Sequence, residues 1–320
     1  MKKILVIGGG AMGSAFTIPC IENNNSVTIT EPYSKIFIKN LSSKNKFHSA
    51  LKINLSKKLK FRKFSKELLK EKFDLIVIAL SLSGIDFIGK ELMKYKIKTP
   101  ILILTKGLKY EKKSKKIFTI SEKLVNDYKL KNISILKGPC LAKELARKNQ
   151  TSVIIANKNI NIAKKIGKII ATKYYITEFS KDIIGIEVCS AIKNIYAMII
   201  GAGQSLNASS NLFQKSVIEM KYLTKFFKGK DETILSLAGV GDLYVSAAGG
   251  RNSKMGSYLG KGYTFKTAKR RFMPKDTVEG EQLAKEIAPF IFEKVNKNKV
   301  PMMINLLKSI ISNKKLKIKV

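Results

Sequence analysis

Along the N-terminal half of the chain, short solid apolar runs alternate with mixed, helix-compatible stretches. Ile4–Ile7, Val27–Thr30, Leu75–Leu80, Ile101–Thr105, Ser134–Leu136 and Ser152–Ala156 have the length and apolar content of buried strands. Helices are expected between them, including Ser65–Lys72 and Ser114–Asp127. Alternation of this kind predicts a parallel, doubly wound α/β sheet. Lys35–Lys63 is rich in lysine and serine and weakly patterned, so part of it is expected to be an exposed loop.

Past Lys181 the pattern changes. Ile183 to Leu206 is apolar enough for a buried helix, and amphipathic stretches follow at Asn211–Phe227, Thr267–Arg271, Glu279–Glu293 and Met302–Ser312. Strand-like alternation disappears. The chain is therefore expected to divide near Ser180 into an α/β domain, residues 1–180, and an all-helical domain, residues 181–320. Its 320 residues are enough for two cores. Gly8–Gly10 cut the first apolar run short, which argues against a signal peptide. The longest later candidate, Ile195–Gly203, falls short of the roughly 18 residues of a membrane span and follows Lys193.

The first strand leads straight into Gly8-Gly9-Gly10-Ala11-Met12-Gly13, a G-x-G-x-x-G pattern on Gly8, Gly10 and Gly13. Gly8 permits the tight turn, Gly10 lets a pyrophosphate approach the backbone, and Gly13 allows close helix–strand packing. Ala11 and Met12 open the helix, whose unpaired N–H groups and dipole favour an anion. Glu31, at the end of the next strand, completes a dinucleotide-binding arrangement. Its carboxylate would accept hydrogen bonds from the ribose hydroxyls and repel a 2′-phosphate, favouring NAD over NADP; Lys35 is the opposing charge. The competing reading is a glycine-rich turn with no cofactor.

A net charge of +38 suggests nucleic acid, but only five of the 61 basic residues are arginine: Arg62, Arg147, Arg251, Arg270 and Arg271. Nucleic-acid sites favour the arginine fork and stacking aromatics, whereas lysine here is spread over the whole chain. That is compositional bias on a solvated surface, and no specific nucleic-acid partner is expected. The charge would still attract anionic metabolites. Cys20, Cys140 and Cys189 lack metal-ligand spacing, so no metal is expected, and they suit a reducing, cytoplasmic setting. With His48 the sole histidine, hydrolytic triads lack material. A lysine or a carboxylate is left for acid–base work.

Lys193 lies between Ile192 and Ile195 on the apolar helix. It either snorkels to the helix edge or is desolvated, and burial disfavours the ammonium, which is how a lysine becomes a general base. Arg251, after Gly249-Gly250, marks either a surface turn or a bidentate site for phosphate or carboxylate. Asp242, in Gly239-Val240-Gly241-Asp242-Leu243, either caps a helix or orients another polar group.

GGGAMG, TKGL, GPCLAKELA, AIKN, GVGDL, GGRN and TVEGE occur in that order along the chain. In this the sequence resembles the NAD(P)-dependent glycerol-3-phosphate dehydrogenases from end to end. The resemblance implies a Rossmann domain followed by a helical domain like the C-terminal domain of 6-phosphogluconate dehydrogenase. It implies reversible hydride transfer between NAD(P)H and dihydroxyacetone phosphate, giving sn-glycerol 3-phosphate for phospholipid synthesis, in a cytoplasmic homodimer. Lys193 matches the catalytic lysine, and Asp242 the aspartate beside it. Asn194 and Lys106 match substrate-positioning residues, Lys106 lying near the cofactor as well. Gly250, Arg251 and Asn252 match the segment that binds the substrate phosphate or the cofactor edge. Gly138, Cys140 and Ala142 match a loop lining cofactor and substrate, and Glu279 a glutamate reaching the cofactor. Cys140 stands where the family usually has serine or threonine, and a thiol hydrogen-bonds more weakly. Two rivals are another two-domain hydroxyacid or ketopantoate-type dehydrogenase and a non-catalytic nucleotide binder. The GVGDL and GGRN pair argues against the first; Lys106, Lys193, Asp242 and Arg251 together argue against the second.

Overall fold

A computed structural model of the chain describes residues 1–34 and 45–318. Lys35 and the rest of residues 35–44 lie outside the described residues. In chain order the elements begin β1 (Lys3–Ile7), α1 (Ala11–Glu22), β2 (Ser26–Thr30), β3 (Phe47–His48), β4 (Ile53–Asn54), β5 (Lys60–Phe61), α2 (Lys66–Lys70), β6 (Leu75–Ile78), α3 (Ile85–Lys94) and β7 (Ile101–Ile103). They continue through β8 (Leu108–Glu111), β9 (Lys116–Thr119), α4 (Ile120–Asn126), β10 (Ile133–Lys137), α5 (Ala142–Ala146), β11 (Thr151–Ala156), α6 (Ile160–Ile170) and β12 (Tyr175–Ser180). Helices follow: α7 (Ile183–Gly201), α8 (Leu206–Phe226), α9 (Asp242–Ala247), α10 (Arg251–Gly260), α11 (Phe265–Phe272), α12 (Glu279–Lys294) and α13 (Pro301–Ser312). Two compact units result, Met1–Lys106 with Ile120–Ile183, and Gly107–Thr119 with Ile184–Val320.

The first unit is built on an eight-stranded sheet in the order β12-β11-β10-β7-β6-β1-β2-β5. Neighbours run parallel except β10 with β11. Ile4, Leu5, Val6 and Ile7 are fully buried, which is why β1 reads as an unbroken apolar run. After β1 the chain moves to β2 and β5 on one side and returns to β6, β7 and β10 on the other. This reversal makes β1–β6 the switch point, and ligands of such sheets bind at the carboxyl edge there. The same edge carries Gly8–Gly10, Glu31, Lys106 and Gly138. Among the described residues of the weakly patterned stretch, β3 and β4 form a hairpin, and β5 joins the sheet beside β2.

The second unit is organised around α7, in which residues 185–200 are all buried. Val188, Ile192, Ile195 and Ile199 share one apolar cluster with Leu212 and Met220 of α8, Met255 and Leu259 of α10, Leu283 and Ile287 of α12, and Met303 and Leu307 of α13. Glu187, Lys193 and Asn194 interrupt its apolar run, and the helix ends at Gly201, short of the Leu206 expected from the sequence. A window of α7 has a mean hydropathy of 1.7, long and apolar enough for a membrane span, yet 89% of that window is buried inside the protein.

One expected helix is largely absent. Of Ser114–Asp127 only Ile120–Asn126 is helical, and Lys116–Thr119 is a strand paired antiparallel with Leu108–Glu111. The lysine-rich segment before it has no apolar periodicity, so docking decides. Leu108 is fully buried in the apolar cluster of the helical unit, and Tyr110 N–H donates to Glu286 of α12 at 2.9 Å.

Glu219 ties this unit together. It is 4% exposed and accepts hydrogen bonds from the N–H groups of Met302 (2.8 Å) and Met303 (3.1 Å) and from the Tyr196 hydroxyl (2.9 Å). The carboxylate thus caps α13, where the helix dipole favours a negative charge. Burial pushes its pKa up, opposed by the three donors. Glu219→Ala would orphan those donors and leave a cavity, so we expect a loss of about 2–4 kcal/mol, read from the urea midpoint. An unchanged midpoint would contradict the capping role.

Candidate active site

In the first unit, Gly8 has φ +118° and its N–H donates to Thr30 O at 2.9 Å. A Cβ at Gly13 would lie 2.0 Å from Gly8 O, so α1 packs against the turn more closely than any side chain allows. A Cβ at Gly10 would meet nothing within 4 Å. Packing therefore does not demand glycine at Gly10; the open face suits a ligand that needs the bare backbone. Gly10 is the N-cap of α1 and makes no side-chain capping bond, so the opening residues Ala11, Met12 and Gly13 lack that means of satisfying their N–H groups. Glu31 accepts from Gly9 N–H at 2.9 Å through Oε2 and from Tyr33 N–H at 3.0 Å through Oε1. These features fit the pyrophosphate and ribose of a dinucleotide.

Further along the same edge, the ends of β6, β7 and β10 are cross-tied. The Thr105 hydroxyl donates to Leu80 O at 2.8 Å, and the Lys137 ammonium donates to Thr105 O at 2.6 Å and Ile103 O at 3.3 Å. Lys106 follows directly. Gly138, with φ +132°, turns the chain after β10. Cys140 and Ala142 are partly buried against the core of this unit, and α5 packs on α1.

In the second unit, Lys193 is 5% exposed and Asp242 2%. The ammonium donates to Asp242 Oδ1 and, at 2.6 Å, to the Ser246 hydroxyl. Lys193 therefore does not snorkel. Asp242 is the first residue of α9, directly after a π-helical turn, Leu237–Gly241. Such turns recur at functional sites because they re-aim side chains. Ser246 lies one turn further on α9.

The adjacent Asn194 starts a second chain of contacts. Its Oδ1 accepts from Asn252 Nδ2 at 3.1 Å, and its Nδ2 donates to Glu279 Oε2 at 3.2 Å. Glu279 Oε1 also accepts from the Arg251 guanidinium at 3.3 Å, and Asn252 Oδ1 accepts from Gly280 N–H at 2.9 Å. α10 is brought close by Gly256, where a Cβ would lie 2.0 Å from Met198 O on α7. The N-cap of α10 is Gly250, extended and without a side-chain capping bond, and Arg251 is the first residue of the helix. That combination suits a phosphate.

Lys193, Asn194, Asp242, Gly250, Arg251, Asn252 and Glu279 thus come together in the helical unit. Gly8, Gly10, Ala11, Met12, Gly13 and Glu31 form the loop at the sheet's switch point, with Lys106, Gly138, Cys140 and Ala142 along the same edge. Sequence reasoning missed Ser246 and Lys137. Their signals were four-residue helical spacing from Asp242, and a lysine ending an otherwise apolar strand. Burial pushes the Cys20 thiol pKa up, which makes it unreactive. Among the described residues no group of three His, Cys, Asp or Glu side chains is placed to hold a metal ion.

Two family models match this chain. The model of the NAD-dependent glycerol-3-phosphate dehydrogenase N-terminus covers residues 3–163, and that of the C-terminus residues 182–319. The chain belongs to this family. It is 30% identical over 279 residues to an NADP(+)-dependent glycerol-3-phosphate dehydrogenase of Archaeoglobus fulgidus, covering 83% of this chain and 82% of that protein. A glycerol-3-phosphate dehydrogenase [NAD(P)+] of Clostridium botulinum is 29% identical over 270 residues, 82% of this chain and 80% of the relative. The solved glycerol-3-phosphate dehydrogenase of Coxiella burnetii has the same fold, with a TM-score of 0.83 over 98% of this chain and 96% of that one at 22% identity. The chain is accordingly an NAD(P)-dependent oxidoreductase of this family, and the ketopantoate-type and non-catalytic alternatives are not favoured.

Proposed function

We propose that this member of the family interconverts dihydroxyacetone phosphate and sn-glycerol 3-phosphate, with Lys193 as its acid–base group. The observation that carries the assignment is a buried lysine held by Asp242 and Ser246, with an open helix N-terminus and Arg251 in the same unit. Bound at the glycine-rich loop, the dinucleotide supplies or accepts the hydride. Lys193 donates a proton to the ketone oxygen in the reducing direction and removes it from the secondary alcohol in the other. Asp242 and Ser246 hold the ammonium in place. Arg251, Asn252, Gly250 and the first N–H groups of α10 bind the phosphate, and Asn194 and Lys106 orient the substrate. The exposed Arg251–Glu279 pair is weak enough for a phosphate to compete.

Residues 1–180 are read as the dinucleotide-binding domain and residues 181–320 as the catalytic domain, with which Gly107–Thr119 also pack. Gly8, Gly10, Ala11, Met12 and Gly13 take the pyrophosphate and Glu31 the adenosine ribose. Lys106, Ala142, Arg251 and Glu279 are assigned to the rest of the cofactor; Gly138 and Cys140 face substrate. The family uses NAD or NADP, and we favour NAD because of Glu31. A cytoplasmic homodimer supplying phospholipid synthesis completes the reading.

Incubation with NADH and dihydroxyacetone phosphate should yield sn-glycerol 3-phosphate by NMR; absence of that product would refute the assignment. Glu31→Ser is expected to shift the NADH/NADPH ratio of kcat/KM toward NADPH by about tenfold, since a carboxylate repels the 2′-phosphate. Both cofactors lose the Gly9 contact in this variant, so the ratio isolates the ribose effect. An unchanged ratio, or a wild-type preference for NADPH, would overturn the NAD assignment.

A further inference from the structure

We propose that His48 is a positioning residue for the dinucleotide loop, its imidazole Nε2–H holding the carbonyl of Gly9. The proposal rests on the reading of Gly8–Gly13 as the dinucleotide site.

Three successive glycines, Gly8-Gly9-Gly10, are the most conformationally free sequence a backbone can have. A loop that binds by its backbone must nevertheless be held in one shape, or each binding event pays for ordering it. Side chains from three elements hold the middle glycine. Glu31 of the β2 end accepts from Gly9 N–H at 2.9 Å. The Ser14 hydroxyl of α1 donates to Gly9 O at 2.9 Å. His48 Nε2, from the β3–β4 hairpin, lies 3.3 Å from the same oxygen.

The tautomer follows from the other side of the ring. Leu51 N–H, which can only donate, lies 3.3 Å from Nδ1 and is shared with His48 O at 3.2 Å. Nδ1 is therefore the acceptor and the proton sits on Nε2, which donates to Gly9 O. Burial disfavours the imidazolium, in keeping with a neutral ring. His48 is 2% exposed and Leu51 1%; Leu51 anchors the hairpin in the core of the first unit. The hairpin thus carries the only histidine of the chain to the backbone of the glycine loop.

The experiment compares His48→Leu, which fills similar space without a donor, with His48→Gln, whose amide places an N–H near the position of Nε2. Both are made in the full chain. Dissociation constants for NADH and NADPH come from fluorescence titration, and kcat is measured at saturating cofactor. His48→Leu is expected to raise both dissociation constants alike, by about 5–20-fold, with kcat within about twofold of wild type. His48→Gln is expected to stay within about threefold of wild type on both counts. Unchanged cofactor binding in His48→Leu would overturn the proposal. So would equal losses in the two variants that track a fall in thermal stability, because packing rather than the donor would then be responsible. Failure of the wild-type protein to bind NADH would instead refute the loop's assignment as the dinucleotide site.

Discussion

Lys193→Ala is expected to lower kcat by about 10²–10⁴-fold while the dissociation constant for NADH changes by less than about twofold. The ammonium is held by Asp242 and Ser246. Removing a proton-transfer group costs transition-state stabilisation and leaves cofactor binding alone. The variant also leaves Asp242 as a buried carboxylate without its cation, which costs stability, so the rate must be measured on protein shown to be folded. Activity close to wild type would exclude Lys193 as the acid–base group. Loss of NADH binding in step with kcat would mean that it serves the architecture.

Arg251→Lys is expected to raise the KM for dihydroxyacetone phosphate by about 10–100-fold with a smaller change in kcat. The substitution keeps the charge and removes the planar fork that grips two phosphate oxygens together. It is a sharp test in this chain, where lysine supplies most of the basic side chains and an arginine is the exception. An unchanged KM would assign Arg251 to its ion pair with Glu279 and leave the phosphate to the α10 N-terminus.

The parts legible from sequence are those written locally. A solid apolar run followed by G-x-G-x-x-G announced β1, the turn and α1, because the glycine spacing and the burial of Ile4–Ile7 are properties of a dozen consecutive residues. The apolar stretch from Ile183 likewise announced a buried helix. Contacts between distant segments were not legible. That Lys193 meets Asp242 is set by the path of α8 and by the π-helical turn before α9, neither of which is visible at Lys193. Lys116–Thr119 has no strand pattern of its own, because its stability comes from pairing with Leu108–Glu111 and from docking on α12. Tyr175–Ser180 passed unnoticed as a strand, since at the sheet's edge it keeps only Tyr175 buried. His48 offers too little for a hydrolytic triad in sequence, and its contact with the glycine loop joins segments far apart along the chain, which no local pattern encodes. The motif order in GGGAMG, AIKN, GVGDL and GGRN carried what periodicity lacked.

Recognition of the substrate phosphate by the helical unit is what sets this enzyme apart from other two-domain dehydrogenases. The direct measurement is kcat/KM for NADH oxidation with dihydroxyacetone phosphate against unphosphorylated dihydroxyacetone. Binding of the remote phosphate orients the reacting carbon, so we predict a preference of about 10³-fold or more for the phosphorylated substrate. Comparable turnover of the two, or no turnover by protein that binds NADH, would contradict the assignment of Arg251, Asn252 and the α10 N-terminus as the phosphate site of a glycerol-3-phosphate dehydrogenase.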